Sequence, residues 1–405
     1  MSKLHPEAER RVSTLELFFD LVFVFTITQL TVMLAHDLTF ATAGRVALIF
    51  IVLFWMYGAY AHLTNQVPPD RTSRRLLLLL GMGGFLVCAL SVPRAFGDTG
   101  AGVAFGLGYL LVVVVHGALY SRSHGRNVLW YAIPNCLAAL SVTAAGPAVG
   151  VVAHGLWVVA LVLQFVTPHV ARLAPGRADG DAAVELRSQL GGLDPAHFVE
   201  RHGLLLIIAF GESVVAIGIG IGDMAMSVGV AGGTFLTLAL VAALWWTYFV
   251  RDESAAEAAF RGTAVPDRFA LAMRAFYYAF LPMLLGIACL AAGVKKVLPH
   301  LGEPLHVAPA VSLAAGVALF LAGEVAFRAT LRLRPLAYRA AAVPVALLTV
   351  PVGHLLSGLA QLVALVAVVV AMLMAEDRWA AASDVSADPE EQPVPAGRQW
   401  TGHVE

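Results

Sequence analysis

Charge is in short supply in this chain: only 13% of 405 residues are Asp, Glu, Lys or Arg, against 59% hydrophobic. With a mean hydropathy of +0.79, a chain of that size cannot hide its apolar side chains in one water-soluble core, which excludes a soluble globular protein. Cysteine is scarcer still. Cys88, Cys136 and Cys289 have no paired spacing, which excludes a disulfide framework and a thiolate zinc site and leaves buried inert thiols. A Gly-rich phosphate loop, His-Glu-x-x-His, an Asp-rich magnesium motif and Gly-x-Ser-x-Gly are all missing. Ser213 follows Glu212 directly, but neighbouring positions on a helix do not face each other, so the pair is no nucleophile and base. Neither cofactor nor metal is expected, and a net charge of −1 gives no reason to expect nucleic acid as a partner. The expected partners are the lipid bilayer and an unidentified small solute or ion.

What the chain has is apolar runs of membrane-spanning length, about 20 residues each. Twelve are predicted, near 14–34, 44–64, 75–94, 101–121, 127–146, 149–170, 203–221, 230–250, 269–293, 307–327, 337–355 and 357–377. The fold class is therefore an all-α polytopic membrane protein. With a cytoplasmic N-terminus, every basic residue except Arg45, Arg94, Lys295 and Lys296 falls on the inner side, as the positive-inside bias requires. Both termini are then cytoplasmic. Arg10 and Arg11 precede the first run, yet it contains Asp20 and Gln29 and is read as a retained helix. The tail, with Asp388-Pro-Glu-Glu-Gln-Pro-Val-Pro395, lacks apolar periodicity and is expected to be disordered.

Two carboxylates lie where lipid disfavours charge, at a cost of about 2.5 to 3.5 kcal/mol on insertion scales. Asp20 stands in Leu15-Glu-Leu-Phe-Phe-Asp-Leu-Val-Phe23 and Glu212 in Ile207-Ile-Ala-Phe-Gly-Glu-Ser-Val214. Ser13 and Glu16 have the spacing of a capping box, and Glu16 and Asp20, four apart, share a face near the inner rim. Glu212, counted from an interface near Gly203, reaches the midplane. Asp194-Pro195 is a helix start signal. Glu200, Gly211, Gly218 and Gly222 form a stripe suited to close helix approach.

The chain also divides into two halves of six spans, so that both halves have the same orientation. Domain boundaries follow: segment 1–12, first repeat 13–171, linker 172–194, second repeat 195–378 and tail 379–405. Glu16 matches Glu200, Phe54-Trp-Met-Tyr57 matches Leu244-Trp-Trp-Thr-Tyr248, and Tyr131-Ala-Ile-Pro134 resembles the Tyr338 to Pro344 stretch. Gly108 precedes His116 as Gly316 precedes Glu324. In the same register, Thr28 and Gln29 correspond to Glu212 and Ser213. A midplane patch of these four would form if the two helices face each other.

Glu324 and Arg328 have the spacing of a helical ion pair, and Glu324 with His116 is a candidate proton relay. Trp55, Tyr57, Tyr60, Trp245, Trp246 and Tyr248 are expected mostly at the membrane interface. His62, Asn65 and Gln66 end the second helix on one face and are expected to reach into the headgroups, with the border of a vestibule as the alternative.

Through Thr14-Leu-Glu-Leu-Phe-Phe-Asp-Leu-Val-Phe-Val-Phe25 and Glu200-Arg-His-Gly-Leu-Leu-Leu-Ile-Ile-Ala-Phe-Gly-Glu-Ser213, the chain resembles the bacterial low temperature requirement A family over most of residues 13 to 378. The resemblance implies an integral protein of the bacterial plasma membrane, with the family's acidic positions at Glu16, Asp20, Glu200 and Glu212, and it supplies no substrate. Phe18-Phe19-Asp20 after Arg11 also resembles the first helices of a channel family built from two six-helix repeats. The leading expectation is a secondary transporter or ion-coupled permease using Glu212, because apolar surroundings favour an acid that exchanges protons. The alternatives are a cation channel with Asp20 lining its inner mouth, and an intramembrane or lipid-modifying enzyme if Glu212, Glu324 and His116 converge.

Overall fold

The computed structural model describes residues 11–124, 129–172 and 188–387, and every regular element among them is helical. The first half contains α1 (Thr14–His36), α2 (Phe40–Gln66), α3 (Thr72–Ser91), α4 (Thr99–His124), α5 (Leu129–Ala145) and α6 (Gly150–Arg172). The second begins with α7 (Pro195–Ile221), α8 (Val228–Phe249), the short α9 (Asp252–Arg261) and α10 (Val265–Ala272). It continues through α11 (Phe280–Val297), α12 (Val307–Leu331), α13 (Ala337–Leu347), α14 (Val350–Leu355) and α15 (Gly358–Ala387). Eleven helical segments among the described residues are long and apolar enough to cross a membrane, and Ala132–Ala145 in α5 is a shorter apolar helix.

Local chemistry sets the helix ends. Ser13 Oγ accepts from Glu16 N–H while the Glu16 carboxylate takes the Ser13 N–H, forming a capping box at the start of α1. Thr39 and Ser227 cap α2 and α8 with their hydroxyls. Asp194 accepts from His197 N–H, and Pro195 occupies the first turn of α7, where its missing N–H is harmless. Gly222 ends that helix with φ +51°, a conformation a side chain would strain.

Two spans are irregular. Between α10 and α11 the helix widens into a π-helical stretch, Met273–Tyr278, with Ala279 N–H reaching Arg274 O at 3.2 Å. The predicted 337–355 span is broken between α13 and α14. The last helix runs to Ala387, so the tail's expected start at 379 is corrected; 388–405 lie outside the described residues.

Two pairs of contacts fix the relation of α1 to α7. Asp20 meets Arg201, and further along both helices Thr28 meets Glu212. Contacts that advance in the same direction make the helices parallel, which requires an odd number of crossings between them and therefore counts the short α5 as one. The α3–α4 and α11–α12 contacts are built alike. A Cβ on Gly84 would lie 2.9 Å from Gly108 O, and one on Gly286 would lie 2.7 Å from Gly316 O, so both helix pairs need glycine to let backbones touch. After α3 comes the 3-10 turn Val92–Arg94 and after α11 the turn Leu298–His300, each with proline second.

The expected glycine stripe on α7 is not where helices close. A Cβ on Gly211 or Gly218 would meet nothing within 4 Å, whereas one on Gly220 would stand 3.2 Å from the Leu298 side chain. Angular position alone does not say which face a neighbour occupies. The aromatic expectation also changes: Tyr57, Tyr60 and Tyr248 are fully buried and Trp55 nearly so, while only Trp245 and Trp246 are exposed.

Candidate functional site

At the N-terminal ends of α1 and α7 a guanidinium is buried among acids. Arg201 Nη2 stands 3.0 Å from Asp20 Oδ1 and Nη1 stands 3.4 Å from Glu16 Oε1, with a further hydrogen bond from Nη1 to the Thr64 hydroxyl. Glu16 Oε2 also faces His197 Nε2 at 3.3 Å, so one carboxylate caps its own helix and ties it to α7. Tyr57 donates its hydroxyl to Asp20 Oδ1 at 3.0 Å. The rings of Phe19 and Tyr57 lie 5.7 and 5.8 Å from the guanidinium carbon, close enough for cation–π attraction. Asp20 is wholly buried, and its Oδ2 has no hydrogen-bond partner among the described residues. Its carboxylate faces Arg201 and Tyr57, whereas the channel alternative put it at the lining of an inner mouth.

Glu212 occupies a second cluster, about 6 Å past the middle of α7 at 1.5 Å per residue. Thr28 donates to its Oε2 at 2.8 Å, and Lys295 Nζ of α11 reaches its Oε1 at 3.0 Å. The apolar surroundings expected for this acid are therefore corrected by an ammonium group, brought from the far end of α11 by a long flexible side chain. Ser213 is fully buried with its hydroxyl unpartnered among the described residues. Gln29 is half-buried.

A third cluster joins the helices of the second half. Arg339 on α13 reaches Asp252 at 2.8 Å, Glu324 at 3.2 Å and Glu376 at 2.9 Å, and Glu324 also receives the Thr247 hydroxyl. Arg328 pairs with Glu376 at 2.8 Å and lies 3.7 Å from Asp252. The Glu324–Arg328 pair read from the sequence is thus corrected: each finds a better-placed partner on another helix. Three acids face two arginines in a space closed to water, where each group is held by partners on other helices.

Beside the first cluster lies a cavity of about 60 Å³ between α2, α4, α7 and the π-helical stretch, walled in part by Trp55, Phe198, Phe269 and Phe276. Three imidazoles border it: His62, His116 and His202. Each turns one ring nitrogen to a main-chain carbonyl, of Leu190 at 2.8 Å, Ala59 at 3.3 Å and Phe198 at 2.8 Å. The cavity touches the Arg201 cluster through the Tyr57 and His202 rings, whose centroids are 6.5 Å apart.

Of the residues singled out in the sequence, Ser13, Glu16 and Asp20 come together, as do Thr28 and Glu212. Glu200 accepts the Val12 N–H at 3.3 Å. His116 and Glu324 share no hydrogen-bond partner, and Glu212, Glu324 and His116 stand in three different surroundings. The headgroup positions of His62, Asn65 and Gln66 are corrected, since they bind the chain leading into α7: Asn65 bonds both the N–H and the carbonyl of Asp194, and Gln66 donates to Gln189 O at 2.6 Å. Arg201, Arg339 and Glu376 were not singled out, Tyr57 was read only as an interface aromatic, and Lys295 only as an outer-side charge. The signal available was that basic residues stand within or at the edges of otherwise apolar spans.

A model of the bacterial low temperature requirement A protein family matches residues 11–374. An uncharacterized protein of Rhizobium meliloti (strain 1021) is 29% identical over 325 residues, covering 78% of this chain and 76% of that protein. No solved structure matches.

Proposed function

This chain belongs to the bacterial low temperature requirement A family, an integral membrane protein, and we propose that it is a proton-coupled secondary transporter. The observation that carries the reading is the Glu212–Lys295 pair with Thr28, set where α1 of the first half meets α7 and α11 of the second. A buried ion pair adds little net stability, so its retention in an apolar bundle points to use. A proton delivered to Glu212 cancels its attraction for the Lys295 ammonium. That frees α11 to shift against α1 and α7, and reloading the pair returns it. Asp20 and Arg201 form a second separable contact on the same helix boundary, at the end where the positive-inside bias puts the cytoplasm of a plasma-membrane protein. With both termini on that side, the cavity beside Arg201 belongs to the inner half.

Two six-helix repeats of like orientation suit alternating access around a site between them. The parallel α1 and α7, the matched glycine contacts and the paired 3-10 turns support that duplication. The buried Asp20 carboxylate favours a carrier over an open channel.

The test uses purified protein in liposomes loaded with a pH-sensitive dye. A pH gradient should drive proton uptake coupled to solute, and Glu212→Gln should abolish it while the protein still melts cooperatively. Unchanged uptake in that variant removes Glu212 from the mechanism, and unitary single-channel currents would replace the carrier by a channel.

A further inference from the structure

Among the described residues, no Asp, Glu, Lys or Arg side chain lines the aromatic cavity, although charged clusters lie close by. A carbonyl oxygen only accepts, so the ring nitrogen bonded to it carries the hydrogen. His116 therefore donates from Nε2 to Ala59 O, and His202 from Nδ1 to Phe198 O. No carboxylate among the described lining residues holds an imidazolium. In the uncharged rings, His116 Nδ1 and His202 Nε2 are then acceptors. These two nitrogens, among walls from Trp55, Phe198, Phe269 and Phe276, ask for an apolar body that brings its own donor. A water needs on the order of 10–15 Å³ measured this way, so about 60 Å³ has room for a single six-membered ring.

We propose that the cavity between α2, α4, α7 and the π-helical stretch binds small uncharged aromatic molecules of one ring bearing an O–H or N–H, the donor engaging His116 or His202. This deepens the transport reading by naming its cargo class, and rests on that reading only for calling the ligand a cargo. A carboxylated or phosphorylated solute is disfavoured because it would be buried without a cation among the described lining residues. A purely apolar ring would leave the imidazole acceptors unmatched.

Binding is tested on the full-length protein in detergent by fluorine NMR with 4-fluorophenol, fluorobenzene and 4-fluorobenzoate as probes. The expected result is saturable binding of 4-fluorophenol, about tenfold weaker binding of fluorobenzene, and none of 4-fluorobenzoate. His116→Phe with His202→Phe should bring 4-fluorophenol down to the affinity of fluorobenzene, while persisting fluorobenzene binding reports a folded cavity. Ala272→Trp, which fills the space, should remove both. Equal affinity of 4-fluorophenol and fluorobenzene, indifference to Ala272→Trp, or preference for 4-fluorobenzoate each overturns the proposal. So does a co-purifying phospholipid that 4-fluorophenol cannot displace, which would assign the space to an acyl chain. If the fluorophenol pattern holds but proteoliposomes move no protons, the binding site stands and the transport reading falls. Proton-coupled flux without that pattern has the reverse meaning.

Discussion

Thr28 and Glu212, 184 positions apart in the chain, are joined by a 2.8 Å hydrogen bond from the hydroxyl to one carboxylate oxygen, while Lys295 holds the other. The three residues form one unit whose members should not be separable. Lys295→Met leaves a buried carboxylate without its cation and should cost about 3–5 kcal/mol. Adding Glu212→Gln to that variant should recover most of the loss, and Thr28→Val alone should cost about 0.5–1.5 kcal/mol. Reversible unfolding in mixed micelles with increasing SDS measures all of them; additive losses for Lys295→Met and Glu212→Gln would deny the pairing.

Arg201 answers to Asp20 and Glu16 together. Its planar fork reaches both carboxylates, which a lysine ammonium cannot do from one position. Arg201→Lys should therefore fold with a lowered melting temperature. Arg201→Leu should fail to accumulate in membranes, and Asp20→Asn in the same chain should restore part of the yield. Equal melting of the lysine variant and the parent protein would show that the fork is not used.

Glycine positions on different helices should respond in opposite ways. Gly286→Val and Gly316→Val drive a side chain into the backbone of the neighbouring helix, and should cost about 1–3 kcal/mol or more. Gly211→Ala and Gly218→Ala enter open space, and should be neutral or gain up to about 1 kcal/mol from helix propensity. Thermal melts in detergent distinguish the sets.

The turn between α1 and α2 carries a pH-dependent contact. Asp37 accepts the Thr42 hydroxyl at 2.6 Å and the Thr39 hydroxyl at 3.0 Å, and these bonds hold its carboxyl below the ordinary range. The contribution is fully present above the unfolded-chain value of about 3.9 and is lost as pH falls through the lower folded value. Amide exchange across 37–43, corrected for its intrinsic pH dependence, should lose protection on acidification. Asp37→Asn should flatten that response.

Helix positions were legible because lipid demands length and apolarity, and both can be read along one dimension. Ser13, Asp194 and Pro195 act within a turn of their own backbone and were equally legible. Thr28 and Glu212 could be brought together only through the proposed duplication, which supplied a register that local pattern lacks. Lys295 could not, because hydropathy places it at a helix end and says nothing of where a four-carbon stem will point. Arg339 and Glu376 escaped for a related reason: a charge near the end of a span has an interfacial explanation until its neighbours on other helices are known. Arg328 had an acid at the right spacing on its own helix, yet tertiary geometry offered Glu376 instead. The cavity imidazoles come from three separate helices, and no window along the chain contains them.

Arg339 has a bearing on how the protein is made. It lies on α13, and one of its acids, Glu376, belongs to α15, which is synthesised after it. Until α15 is inserted, Arg328 and Arg339 have only Asp252 and Glu324 to neutralise them. Synthesis of α15, rather than of any earlier helix in the second half, is then the event that completes the cluster, and a nascent chain halted before Glu376 leaves Arg328 and Arg339 short of one carboxylate.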